Sequence, residues 1–368
     1  MSSLSDRVRS LMEQSGLSLD DFAERVDLDA SQLSESLSGA DSFSVVDLAC
    51  IADACDVSVD WLLTGTEPAL AVAARTTTGE AAQALEAARQ YTARRTDLDS
   101  LGYPQLWRPL TRTTRPGGSY TGQGEALARA ALAEIGRQSR QAAVGDLAEL
   151  IEDVFGADVA VVQLGAGFDG LTATTHDAKL ILLAATSNPA RQRFTLAHEL
   201  GHLLAGDDQD VHLDRDIFAS AQRRDPSEQR ANAFASAFLM PEGALRAAIT
   251  ANGLTRASYA ALACDLMVSP STLAYRLLQL RMIDAGTCDH YKRMTAVEAA
   301  RLAGRSEEFD RRALLAQQPR LPGLLVRDTL AAYNAGKSTL RPYATLLGVD
   351  VNELRNELEA EQGNRGDV

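Results

Sequence analysis

Two histidines four residues apart, with a glutamate beside the first, constrain this chain more than any other feature. They lie in Phe194-Thr195-Leu196-Ala197-His198-Glu199-Leu200-Gly201-His202-Leu203-Leu204. On a helix, side chains four apart project from one face, so His198 and His202 can grip a single metal ion. Glu199 falls about 100° around the helix from His198, beside the metal rather than on it. There it can accept the proton of an attacking water, the pattern of a zinc-dependent endopeptidase. Ala197, Leu200 and Leu204 fall on the opposite side and are expected in a core, and Gly201 permits close approach of a neighbouring element. A surface helix that merely carries two histidines is the bland alternative. Against it, the chain has five histidines in all and two of them stand here.

A catalytic zinc site takes three protein ligands and leaves one position open. Glu228, in Asp225-Pro226-Ser227-Glu228-Gln229-Arg230-Ala231-Asn232, is the best third ligand. It shares a helix face with Ala231, Asn232 and Ala235, and so points inward. Asn232, one turn on, is placed to hydrogen-bond a ligand histidine and fix its tautomer. The same stretch also reads as a capping box, with Asp225 as N-cap, Pro226 at the first helical position and Glu228 three residues after the cap. Asp208, six residues after His202, is a rival ligand, although Ala205 stands where that arrangement wants a glycine for its sharp turn. Asp207, His212 and Asp214 are weaker candidates that an exposed acidic loop explains. Two imidazoles and a carboxylate suit zinc, with manganese allowed. No pattern singles out the oxyanion-stabilising group; Tyr275 and His212 are the candidates.

The 368 residues suggest two or three domains. With 45% hydrophobic, 23% charged and 5% aromatic residues, the composition is that of a soluble globular protein in which helix outweighs strand; with the strand-like runs below, the chain is read as α+β, predominantly helical. Residues 1–66 read as a compact helical bundle. Helical apolar spacing runs through Val8, Leu11 and Met12, then Phe22, Ala23 and Val26, then Leu33 and Leu37, then Val46, Leu48, Ala49, Ile51 and Ala52. Ser18 is the expected N-cap of a helix over Leu19–Val26, Gly39 a helix stop, and Val57 to Gly65 closes the block. Residues 67–123 are read as an exposed helix over 79–98 followed by a Pro/Gly-rich linker. From Leu101 to Gly124 the linker has no acid and three arginines. It is read as a solvated tether or as a patch that docks on the acidic first domain. A second core, 124–250, starts with helical periodicity to about Gly156. Strand-like runs follow at Val159–Leu164, Gly170–Ala173 and Leu180–Ala185. The last of these is expected to hold an extended peptide by edge pairing. Helices are predicted from about Arg191 to Leu204 and from Pro226 to Leu239. Residues 251–285 read as two helices broken at Val268-Ser269-Pro270, and 286–368 as a helical C-terminal region. No apolar run approaches the roughly 18 residues of a membrane span, and the first residues show no signal pattern. A cytoplasmic protein without a membrane partner is therefore expected. The cysteines, Cys50, Cys55, Cys264 and Cys288, have no paired metal spacing and are expected as reduced, mostly buried thiols.

At Arg193–Leu204, Glu228–Ala235 and Leu239-Met240-Pro241 the sequence resembles the ImmA/IrrE metallopeptidase family. The resemblance extends from about Glu125 to Asp284 and includes Val268–Leu277. It implies a thermolysin-like zincin core with a small sheet and an appended helical subdomain, and a glutamate as third ligand, which maps to Glu228. It also implies site-specific cleavage of a helix-turn-helix repressor in the cytoplasm, which derepresses stress-response or mobile-element genes. The alternative is a transcription regulator, binding DNA or a partner, whose zincin domain senses metal without proteolysis.

The first domain separately resembles the lambda-repressor-like (XRE-type) helix-turn-helix, a five-helix bundle, from Gly16 through Ser34 and in the closing Asp60-Trp61-Leu62-Leu63-Thr64-Gly65. Such a domain lays its recognition helix in the major groove. Here that helix would be Ala30–Leu37, which carries Glu35 and neither lysine nor arginine. Residues 1–65 hold three basic residues (Arg7, Arg9, Arg25) and thirteen acidic ones. Basic side chains supply most nonspecific DNA affinity, so DNA binding by residues 1–66 is disfavoured. Docking on a protein, including a repressor of like fold, or homodimerisation is favoured instead. The net charge of −14 points the same way. The helices of 251–285 also have a helix-turn-helix look, with Arg276 and Arg281, but simple packing on the core explains them.

Overall fold

The computed structural model describes residues 4–26, 28–38, 43–55, 57, 62, 80–110, 118–138, 146–164, 168–207, 212–214 and 225–365. The chain divides into two compact units, Met1–Val72 and Ala73–Val368.

The first unit contains α1 (Leu4–Ser15), α2 (Leu19–Arg25), α3 (Ala30–Ser38) and α4 (Val45–Cys55). Ser18 caps α2 by accepting a hydrogen bond from the Asp21 amide. The apolar spacing becomes a core: Val8, Phe22, Ala23, Val26, Leu33, Leu37, Leu48 and Ile51 are buried in one cluster with Leu62, and Leu11 and Met12 pack against it half-buried. The side chains of Val46, Ala49 and Ala52, the stop at Gly39, and the fifth helix expected near Val57–Gly65 lie outside the described residues, except for Val57 and Leu62.

The second unit is built on a four-stranded sheet: β1 (Asp158–Val162), β2 (Gly170–Thr174), β3 (Lys179–Ala184) and β4 (His212–Asp214), in the order β1-β3-β2-β4. β3 runs parallel to β1 and antiparallel to β2, and β4 is antiparallel to β2. Among its helices are α5 (Glu80–Ser100), α6 (Tyr120–Arg137), α7 (Leu147–Phe155), α8 (Pro189–Ala205) and α9 (Pro226–Leu239). Both α5 and α8 pack on β2 and β3. Every β3 residue after Lys179 is buried, so both faces of the strand are covered. The single helical stretch expected from Glu125 to Gly156 is two helices, because the chain leaves the helix after Arg137 and restarts at the Asp146 cap.

Toward the C-terminus follow α10 (Glu242–Asn252), α11 (Arg256–Leu266), α12 (Pro270–Gln279), α13 (Ala285–Tyr291), α14 (Ala296–Leu302), α15 (Ser306–Leu315), α16 (Gly323–Asn334), α17 (Arg341–Leu347) and α18 (Val351–Arg365). Thr255 and Ser258 form a reciprocal capping box on α11, and Ser269 caps α12 ahead of Pro270. This accounts for the predicted break at Val268-Ser269-Pro270.

Three expectations are corrected. The helix over 79–98 is not exposed: Ala84, Leu85, Ala88, Thr92, Arg95 and Leu98 of α5 are buried. Its weak apolar periodicity hides a face closed partly by a charge. The Arg95 guanidinium, 1% exposed, reaches Asp158 on β1 at 2.5 Å and Asp328 on α16 at 2.7 Å. Nor are residues 101–110 a solvated tether. Gln105 bonds Asp158 and the Lys179 backbone, and the Arg108 amide donates to the Phe155 carbonyl. Residues 111–117, with Arg112 and Arg115, lie outside the described residues. Third, β3 cannot take an extended peptide by edge pairing, because β1 and β2 occupy both its sides. The far edge of β1 is covered too. Arg320 exchanges two backbone bonds of 2.9 Å with Val161 while its guanidinium grips Glu152. The four cysteines are free, as expected, but only Cys288 is buried; Cys50, Cys55 and Cys264 are half-buried.

Removing Arg95 would leave the buried Asp158 without its counter-charge, while Asp328 would keep Arg327. Arg95→Ala is expected to cost about 3–5 kcal/mol in urea unfolding of the whole chain; a loss under about 1 kcal/mol would show that the triad does not hold the sheet.

Candidate metal centre

Helix α8 begins on an Asn188 cap, with Pro189 in its first turn. From Phe194 to Ala205 it is buried on every side, so it runs through the centre of the second unit rather than over its surface. The expected core positions Ala197, Leu200 and Leu204 belong to the main apolar cluster. Gly201 allows α9 to come close: a Cβ there would stand 3.0 Å from a Phe234 ring carbon. That close crossing brings Glu228, in the first turn of α9, over the two imidazoles.

The structure brings His198, His202 and Glu228 together. The two Nε2 atoms are 3.1 Å apart, and the rings meet edge to face with centroids 4.8 Å apart. One Glu228 carboxylate oxygen is 3.4 Å from His198 Nε2 and the other 3.3 Å from His202 Nε2. All three residues are buried, the histidines at 0% exposure. Taking one ligand atom from each, the three lie within 4.8 Å of one another, the arrangement of a metal site. The capping alternative for Glu228 does not compete. Asp225 caps α9 through the Ser227 amide, while the Glu228 carboxylate faces the imidazoles.

Asn232 does not take the expected role. It is half-buried, and among the described residues no hydrogen bond joins it to either imidazole. Asp207 stands there instead, with a carboxylate oxygen 3.7 Å from His202 Nδ1. The turn that places it uses Gly206, whose φ of 71° closes α8. The sharp turn missing at Ala205 is thus made one residue later. Arg230 of α9 holds Asp207 through a paired contact. Burial opposes ionisation of Asp207, but His202 and Arg230 hold its carboxyl down to about 2. Burial likewise opposes charge on His202, yet Asp207, Glu228 and Glu199 push it up to about 10. Three carboxylates thus draw positive charge into a buried site. A divalent cation on two neutral imidazoles and one carboxylate meets that demand, so the residues fit a metal.

Glu199 is buried beside the cluster without being part of it. The Thr172 hydroxyl of β2 donates to its Oε2 at 2.5 Å and so fixes the carboxylate. Sequence reasoning missed Thr172, which lies 27 positions earlier in the chain and is linked only through the fold. For Asp207 there was a signal: glycine followed by an acid at the end of the histidine helix. Asp208 and the side chains of His212 and Asp214 lie outside the described residues, although His212–Asp214 form β4 rather than a plain loop. Tyr275 is exposed on α12, and no described contact brings it to the imidazoles.

In the first unit the structure engages all three basic residues in backbone contacts. Arg7 donates to the Leu62 carbonyl, Arg9 to Leu37 near the end of α3, and Arg25 to Ala54 near the end of α4. Their charges serve helix ends and the bundle itself.

His202→Ala is expected to purify without the metal that the unaltered protein carries, by elemental analysis. Asp207→Asn should keep the metal but bind it about 10- to 100-fold more weakly in a chelator competition. Full metal content in His202→Ala would show that the ion sits elsewhere.

Residues 154–278 match the family model described as IrrE N-terminal-like domain, and residues 3–62 match one described as helix-turn-helix domain. The chain is 36% identical over 138 residues to the radiation response metalloprotease IrrE of Deinococcus radiodurans, a match covering 36% of this chain and 40% of that protein. It is 29% identical over 204 residues to the protein of the same name from Deinococcus deserti, covering 46% of this chain and 72% of that one. The matched region runs through α8, α9 and α12, and so includes His198, Glu199, His202 and Glu228. The second unit of this chain thus contains a region similar to the IrrE N-terminal-like domain, and the first a region similar to a helix-turn-helix domain.

Proposed function

We propose that this protein is a cytoplasmic regulatory zinc endopeptidase that cuts a helix-turn-helix repressor. The observation that carries the proposal is the buried convergence of His198, His202 and Glu228 with Glu199 beside them. No described helix is long and apolar enough to cross a membrane. The relatives are named radiation response metalloproteases, and a protein substrate is inferred from that name.

Bound there by two imidazoles and one carboxylate, zinc would supply Lewis acidity toward the attacking water and the scissile carbonyl; manganese is the alternative ion. Glu199 accepts the water proton as the oxygen adds to the carbonyl carbon. It then delivers that proton to the nitrogen as the C–N bond breaks. Thr172 keeps the Glu199 carboxylate in one orientation through both transfers. Asp207, 3.7 Å from His202 Nδ1, puts a negative charge on that side of the ring and so favours the Nδ1–H tautomer, which leaves Nε2 for the metal. The sensor alternative has no use for Glu199, which is outside the ligand cluster yet buried and held by its own hydroxyl donor. An extended substrate would pair with β4, whose described strand partner is β2 alone.

For the helix-turn-helix unit we propose protein docking rather than DNA binding. Residues 1–65 carry thirteen acids against three arginines, and each of those arginines donates to a backbone carbonyl. A repressor of like fold, or a second copy of this chain, is the favoured partner.

Glu199→Gln is expected to keep its metal while cleavage of the repressor encoded beside it falls by at least about 100-fold; cleavage at the unaltered rate would defeat the mechanism. In a gel shift at moderate salt the full chain should leave operator duplexes unshifted. A tight, sequence-dependent shift lost on deleting residues 1–66 would reverse the docking proposal.

A further inference from the structure

Helix α8 carries its working side chains on two stripes, and different elements hold them. His198 and His202 face Glu228 of α9. Arg191, Thr195 and Glu199 stand four residues apart and so form a second stripe along the helix. That stripe meets the start of β2 at each of its turns. Asp169, just before the strand, takes the Arg191 guanidinium on both carboxylate oxygens, at 2.9 and 2.5 Å. Gly170 lies against Thr195 and Glu199, and the Thr172 hydroxyl donates to Glu199. Thr172, Thr195 and Glu199 are at most 1% exposed.

Gly170 and Thr172 are two apart on a strand and share its α8 face, while Leu171 and Ala173 point to the other face. Gly170 is held in register between Leu183 of β3 and Asp214 of β4, and Arg191 ties the helix to the same end of the strand. The gap between β2 and α8 is thereby set, and it has no room for a side chain at position 170. A Cβ there would stand 2.7 Å from Thr195 Cγ2 and 3.1 Å from Glu199 Oε1, with Leu183 Cδ2 at 3.3 Å. Gly170 is not among the positive-φ glycines, so space rather than backbone freedom calls for glycine here. Thr195 is β-branched on a helix and yields little. The free end of the Glu199 side chain is the part that would give way.

We infer that β2 positions the general base independently of the metal ligands. Gly170 sets how far the Glu199 carboxylate stands from the strand, and Thr172 sets which way it faces. Both are positioning residues. The inference rests on the peptidase reading of Glu199 and adds that reactivity and metal binding are separable in this chain, because β2 acts on one and α9 on the other.

The test has two arms. The first reads the contact without activity, by urea unfolding of the full chain in a double-mutant cycle of Gly170→Ala with Glu199→Ala. The midpoint loss caused by Gly170→Ala should shrink by at least about a third once Glu199 is shortened. An equal loss in both backgrounds would show that the added methyl does not press on the base. The second arm reads cleavage of the repressor encoded beside this chain, with metal affinity followed by chelator competition. Gly170→Ala should lower kcat at least about tenfold while KM and metal affinity stay within about twofold, as a displaced reacting group requires. Thr172→Val should lower kcat likewise, and Thr172→Ser should stay within about threefold of the unaltered chain because it keeps the donor. That pair decides the matter should Gly170→Ala not fold. Leu171→Val, on the opposite face of the strand, should lower the unfolding midpoint and leave kcat unchanged. The inference is overturned if Gly170→Ala cuts at the unaltered rate or loses its metal, if Thr172→Ser fares no better than Thr172→Val, or if Leu171→Val loses as much kcat as Gly170→Ala. Cleavage lost in Glu199→Gln but kept in Gly170→Ala removes this inference alone; cleavage kept in Glu199→Gln removes the peptidase reading and the inference with it.

Discussion

The close crossing of α8 and α9 at Gly201 is the contact on which the candidate centre depends. A side chain at that position would meet Phe234, and any spreading of the two helices would withdraw Glu228 from the imidazoles. His198 and His202 share a helix, so their spacing follows from the helical repeat alone. The third donor comes from a separate helix and is fixed by packing. The geometry of the centre is therefore a property of the apolar core as much as of the ligands.

That core is closed by polar devices at its margins. Arg95 ties α5 to β1 and α16 through two carboxylates, and Arg320 seals the outer edge of β1. Both arginines join parts of the chain distant in sequence, so residues 80–110 and the C-terminal helices complete the sheet's surroundings. Inside, the Thr172 hydroxyl bonds Glu199, and Asp207 lies on the Nδ1 side of His202. The sheet and the end of α8 thereby set the orientation of groups that α8 itself only places.

What could be read from the sequence is what local periodicity encodes. The histidine helix, the Glu228 helix with its Asp225-Pro226 start, and three of the four strands follow from spacing and caps. Glu228 was legible because its neighbours Ala231 and Ala235 mark an inward face. Long-range partnerships were not legible. Arg95 looked like solvent-facing charge because its partners are 63 and 233 positions away. Helical spacing points to Asn232, one turn beyond Glu228, and cannot show that Gly206 turns the chain so that Asp207 comes back toward His202. β3 read as an edge because its two neighbours in the sheet cannot be known from its own residues, and His212–Asp214 is too short to show a strand pattern. In the first unit the fold was legible and its acidity was plain. The engagement of its three arginines by carbonyl groups needed the structure.

X-ray absorption at the edge of the bound metal tests the centre most directly. The account predicts one ion per chain surrounded by two imidazole nitrogens and carboxylate oxygen at about 2.0–2.2 Å, with the histidine signature reduced when either His198 or His202 is replaced. A sulfur shell, or a histidine signal indifferent to both replacements, would contradict it.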